Sequence, residues 1–157
     1  AANEFDAEAI DHAISLSLLL STVGGFAAVA LGRRFGLTTP LLLTGLLTAV
    51  SVFAISVGSS MAAYTAALCV FGFLWNFGPP YQLPVVAAVD PTGRGMPAAI
   101  MSMKVFMAIG PFAYGLIAER LGFAFAGGLA ALIATLATVA MVLLVRSLNS
   151  RSGHDEF

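Results

Sequence analysis

The hydrophobic pattern of this chain is set by where charge is missing. From Phe35 to Val89, between Arg34 and Asp90, no side chain carries a charge. One bilayer-crossing helix takes about 20 apolar residues at 1.5 Å rise each, matching a hydrocarbon core of about 30 Å. The uncharged run is far longer than that, so it has to cross, turn and cross back. Cutting the whole chain at charged or turn-forming residues gives five apolar spans, about 13–32, 40–57, 61–88, 97–118 and 123–145. Arg33 and Arg34 stop the first. Gly58-Ser59-Ser60 is a turn of small residues between the second and third. Asp90-Pro91-Thr92-Gly93-Arg94 is a polar turn, and Pro97 suits the first turn of the helix that follows it. Glu119-Arg120-Leu121-Gly122 closes the fourth span. Residues 1–12 read as the end of an external loop, and 147–157 as a short polar tail.

Composition supports the reading. The chain is 59% hydrophobic and 10% charged, whereas a soluble domain carries about 25% charged residues. The expected fold class is therefore an all-α integral membrane protein with five transmembrane helices in lipid. A net charge of −1 builds no case for nucleic acid. Cys69 is the single cysteine, which excludes an internal disulfide or a Cys-rich metal site, and its mid-span position suits a small buried apolar residue. The first dozen residues are acidic, which does not suit a signal peptide, and the chain is expected to be part of something longer. Lys and Arg in the loops set orientation. Arg33, Arg34, Arg94, Arg146 and Arg151 fall on one side, and Arg120 alone falls on the other, beside Glu4, Asp6, Glu8 and Asp11. The first side should be cytoplasmic, placing the N-terminus outside and the C-terminus inside. On the first span Ser17, Ser21, Gly24, Ala28 and Gly32 recur at three- and four-residue spacing, a stripe that lets another helix approach closely.

At the end of the first span, Gly25, Gly32, Arg33 and Arg34 fall at the spacing of G-x-x-x-D-R-x-G-R-R, with Val29 and Ala30 in place of the Asp and first Arg. This resembles the loop signature of the major facilitator superfamily (MFS), in the weaker copy found between helices eight and nine. Asp90-Pro91-Thr92-Gly93-Arg94-Gly95 resembles the family's loop between helices ten and eleven. Gly110, Pro111 and Gly115 resemble its Gly-Pro motif on helix eleven. The resemblance covers nearly the whole chain and implies a partial MFS C-terminal six-helix bundle, helices eight to twelve. It also implies loop and gating roles for Gly25, Gly32, Arg33, Arg34, Asp90 and Arg94, and a helix-packing role for Gly110, Pro111 and Gly115. The cytoplasmic C-terminus of that family agrees with the orientation read from loop charge.

Two places within the spans could carry chemistry. Lys104 lies about ten residues beyond Arg94, roughly 15 Å along a helix, near the bilayer midplane. A Lys there costs about 2.5–3.5 kcal/mol on insertion scales, which calls for a partner or a water-filled cavity. It would face an anionic substrate group or a carboxylate on a missing helix, unless it snorkels to the interface. On helical spacing it shares a face with Met101, Ala108, Pro111 and Gly115, which should point into the bundle. The third span holds Trp75, Asn76, Tyr81 and Gln82 around Gly78-Pro79-Pro80 and Pro84. Prolines remove backbone donors, and broken backbone at membrane depth is tolerated only inside protein or beside water. Secondary transporters place substrate sites near the midplane on such interrupted helices. These five residues are the substrate-binding candidates, although Trp75 and Tyr81 would also serve as packing or interfacial aromatics. His12 and His154 lie outside the spans and read as surface residues. Asp90 and Arg94 could pair across their turn.

No motif of a metal site, a catalytic triad or an intramembrane acid pair is present, so no enzyme and no cofactor is expected. The leading expectation is the C-terminal portion of a secondary active transporter. It would move a small solute, anionic or aromatic, by alternating access against the missing N-terminal half. By family habit it would be proton-coupled or of the efflux type. The alternative is a non-transporting five-span scaffold or accessory subunit. The membrane is expected to be the cell (inner) membrane.

Overall fold

The computed structural model describes residues 6–32, 34–90 and 92–152. Every regular element among them is a helix: α1 (Ala7–Leu31), α2 (Thr38–Val57), α3 (Met61–Phe77), α4 (Pro79–Val89), α5 (Gly95–Leu121) and α6 (Phe123–Ser152). With α3 and α4 taken together, five of these are long and apolar enough to cross a membrane. The outer surface agrees: Phe106 and Phe112 are both 73% exposed, a state suited to lipid rather than water.

The bounds differ from the apolar pattern in three places. α1 begins at Ala7, so six residues read as loop are helical; a polar residue such as Glu8 is compatible with the first helical turn, where it also favours the helix dipole. α6 continues to Ser152, because Arg, Ser and Asn beyond the membrane ride on a helix already nucleated inside it. The third span is divided at Gly78 into α3 and α4.

Local chemistry explains most of the boundaries. Gly32 ends α1 at φ 52° and Gly122 ends α5 at φ 89°, left-handed conformations in which a side chain is strained. Gly122 is the only residue between α5 and α6, which makes that connection a tight hairpin. Ser60 caps α3 by accepting the Ala63 N–H at 3.2 Å, as expected of a serine before a helix.

The bundle is held by small residues. The α1 stripe Ala13, Ser17, Ser21, Gly24 and Ala28 is buried and lies on α3. A Cβ on Gly24 would overlap the carbonyl of Phe73, and one on Gly72 would overlap Ser17. Further along, the Tyr81 hydroxyl donates to the Ala28 carbonyl at 3.4 Å, so α1 runs parallel to α3 and α4. α2 and α6 pack antiparallel by the same device, Gly45 against Thr138 and Gly127 against Ser56. At one end α1, α2, α4 and α6 converge on a core of Ala28, Leu37, Leu41, Tyr81, Val85, Val142 and Val145.

α5 is held differently. It packs on α6 and α4, and Ala118 is its one buried residue. Ser56 Oγ donates to the Val52 carbonyl at 2.8 Å and lies 2.8 Å from Tyr114 Oη. A serine has a single proton to give, so Tyr114 is the donor that ties α5 to α2. The resemblance implies a packing role for Gly110 and Gly115; a Cβ on either meets nothing within 4 Å. Among the described residues α5 is open at both positions.

The contrast between buried and open glycines is testable in detergent unfolding. Gly24→Ala is expected to lower stability by about 1–3 kcal/mol, the usual range for overpacking. Gly115→Ala is expected to stay within about 0.5 kcal/mol of the parent. Equal losses at both positions would mean that the α1–α3 approach does not determine stability.

Candidate functional site

Between α3 and α5 no side chain fills the bundle, and a cavity of about 380 Å³ opens there. Its volume is in the range of small-ligand sites. Four of the sequence candidates, Trp75, Asn76, Gln82 and Lys104, line it together with Thr44 and Thr48 of α2. Tyr81, the fifth, is not among them. It is 3% exposed, and its ring packs tilted on Phe77 at 5.3 Å while its hydroxyl reaches Ala28. Gln82 is the next residue, about 100° around a helix, and that rotation turns Tyr81 into the core and Gln82 into the cavity.

The interruption at Gly78 shapes this wall. Gly78 keeps helical angles, φ −71° and ψ −49°, and its N–H donates to the Leu74 carbonyl at 2.9 Å. Pro79 and Pro80 have no N–H, so the carbonyls of Trp75 and Asn76 lose the donors that an unbroken ladder would supply. Both of those residues line the cavity. Gly78 also gives space: a Cβ there would stand 3.0 Å from Thr44 Cγ2 and 3.5 Å from Gln82 Nε2. The Asn76 amide is oriented by α1, donating to Ser21 Oγ at 2.7 Å.

Thr44 is the site residue that sequence reasoning missed. It is 4% exposed, and its hydroxyl has no hydrogen-bond partner among the described residues. Neighbouring hydroxyls behave otherwise: Ser56, Thr135 and Thr138 return theirs to the carbonyl four residues back, at 2.7–2.8 Å. A threonine in an apolar span carries no distinguishing mark in the sequence; only its place opposite Gly78 singles it out. Thr44, Thr48 and Gln82 also line a second hollow of about 280 Å³ toward α6. On the other side Phe71, Trp75, Met103 and Met107 are shared with a larger apolar groove of about 810 Å³ that runs along α5.

Lys104 is the one charged residue lining the cavity. Among the described residues it has no ion pair; the ion pair found there joins His12 and Glu8 at 3.8 Å on the exposed start of α1. The Lys104 face of α5 points to the open cavity and groove, with Pro111 and Gly115 exposed beside it.

The loop motifs are only partly visible. Arg33 lies outside the described residues, as do Pro91 and His154. Gly32 terminates α1, its N–H donating to the Ala28 carbonyl at 2.9 Å, and Arg34 follows in an exposed turn. Gly25 faces Asn76, in ordinary contact. Asp90 does not pair with Arg94. Its carboxylate accepts from the Thr92 N–H at 2.8 Å and the Thr92 hydroxyl at 2.5 Å, and from the Gly95 N–H at the start of α5. The Thr92 hydroxyl, then the Gly95 and Thr92 N–H groups, hold the Asp90 carboxyl below its ordinary value. A carboxylate at a helix start also suits the helix dipole.

The sign of this shift fixes a pH dependence. The turn is fully held above the unfolded carboxyl value, about 3.9, and is released as pH falls through the lower folded value. Hydrogen exchange at Thr92 and Gly95, corrected for intrinsic rate, should therefore accelerate in acid. Asp90→Ala should show the fast rates already at neutral pH, without the acid step. No family model matches the chain, and no curated protein or solved structure matches it.

Proposed function

We propose that the chain is the C-terminal portion of a secondary active transporter of the major facilitator type, which moves a small solute by alternating access. The observation that carries this reading is the cavity itself. An interrupted helix, a central lysine and four uncharged polar side chains meet in one hollow between helices that are otherwise apolar. Polar groups at membrane depth are costly to keep without a use, and broken helices around a midplane site are a recurrent transporter device. The motif spacing of Gly25, Gly32 and Arg34, of Asp90 and Arg94, and of Gly110, Pro111 and Gly115 supports the family assignment. The proposed orientation follows the loop arginines, with the N-terminus outside and the C-terminus in the cytoplasm of a cell whose inner membrane holds the protein. The opposing cavity wall belongs to the N-terminal half, and the proton-carrying acid of a proton-coupled or efflux mechanism would lie there too.

A second reading, a non-transporting scaffold or accessory subunit, draws on the open face of α5 at Gly110 and Gly115, where a partner helix would seat. Accessibility separates the two. Cys69 is the single cysteine of these 157 residues and is buried, so Gln82→Cys in the intact protein, with Cys69 and any cysteine outside this chain replaced by Ala, reports on the cavity alone. In native membranes an alternating-access transporter should expose that thiol to a membrane-impermeant maleimide from both faces. Labelling from one face only would favour the scaffold.

A further inference from the structure

We infer that the cavity takes an organic anion, a carboxylate or similar group carried on an apolar body. The inference rests on reading this cavity as a substrate site, and it names the class of substrate. Three independent features point to it. Lys104 brings the single formal charge to the lining, with no carboxylate among the lining residues and, among the described residues, no ion pair of its own. Thr44 lines the same cavity, and its hydroxyl is buried without a partner among the described residues, so rotation about its Cα–Cβ bond would bring a donor to the hollow without the loss of another hydrogen bond. The adjoining groove of Phe71, Trp75, Met103, Phe106 and Met107 continues from the charged end as apolar surface.

A cation and an anionic oxygen attract strongly where water is scarce, and a hydrogen bond with an ionised partner is about twice as strong as a neutral one. The anionic head is placed between Lys104 and Thr44, on the wall that Gln82 also lines. The apolar remainder lies against Trp75 and the groove. The competing chemistry is the pair of freed carbonyls at Trp75 and Asn76, acceptors that would suit a cation. With a full positive charge on Lys104 in the same hollow, a cationic ligand is repelled.

Trp75 is the only tryptophan in the chain, so its emission reports on the cavity directly. The intact protein, with any tryptophan outside these 157 residues replaced by phenylalanine, would be titrated in phosphatidylcholine nanodiscs with three probes of matched shape: cyclohexanecarboxylate, cyclohexylmethanol and cyclohexylmethylammonium. The carboxylate is expected to change Trp75 emission saturably, at concentrations about tenfold or more below the alcohol, with the ammonium weakest. Lys104→Met should remove that preference, whereas Lys104→Arg should keep it. Thr44→Val should weaken the carboxylate by about tenfold to a hundredfold, in line with one lost hydrogen bond to a charged group.

Equal binding of carboxylate and alcohol, or an unchanged preference in Lys104→Met, would overturn the inference. Preference for the ammonium would overturn it too while leaving a substrate cavity in place, governed by the freed carbonyls. Absence of a saturable response to all three probes would sink both the anion inference and the reading of the cavity as a substrate site.

Discussion

Close approach of backbones at glycine is the constraint on which the rest of this structure depends. In lipid, helices gain little from burying apolar side chains against each other, so van der Waals contact between backbones has to hold them. Gly24 and Gly72 bring α1 and α3 together, and Gly45 and Gly127 bring α2 and α6 together. These two contacts are the most extensive in the bundle, with α3 also resting on α2. With α3 drawn toward α1, and α5 resting on α6 and α4, a space is left between α3 and α5. That space is the cavity.

That space is polar because of a second constraint. Backbone groups at membrane depth need partners or a protected environment. Two adjacent prolines release the carbonyls of Trp75 and Asn76, and these residues sit at the hollow rather than on the outer surface. The same turn of helix places Gln82 inward and Tyr81 outward into the core. Lys104 approaches from α5, and Thr44 approaches through the gap left by the missing side chain of Gly78. The site is thus assembled from four elements, and no single sequence segment contains it.

This explains what was legible in the sequence. The charge-free run and the turns around it disclosed five spans, since hydropathy over 20 residues is a strong signal. The stripe from Ser17 to Ala28 disclosed the buried face of α1, because spacing within one helix is a local property. Lys104, Trp75, Asn76 and Gln82 stood out as polar or amphipathic groups in apolar surroundings, and they do meet. Tyr81 did not follow them, because the rotational phase beyond Gly78-Pro79-Pro80 is decided by packing against Ala28 and Phe77. Thr44 was invisible, since its neighbour is 34 residues away in sequence and on another helix. Gly110 and Gly115 read as packed through resemblance to a Gly-Pro motif, whereas a Cβ at either meets nothing within 4 Å among the described residues.

The manner in which α5 is attached has a mechanical consequence. One end is clamped by the Gly122 hairpin, by Ala118 and by the Tyr114 hydroxyl on Ser56, while the other hangs on the Asp90 turn and moves with α4. Such a helix is a cantilever, stiff at its root and compliant toward its tip. Lys104 stands ten residues out from Tyr114, about 15 Å along the beam. A tilt of about 5° at the root would carry it by about 1 Å, enough to make or break a hydrogen bond. The charge in this protein is mounted where small angular motion is converted most directly into displacement.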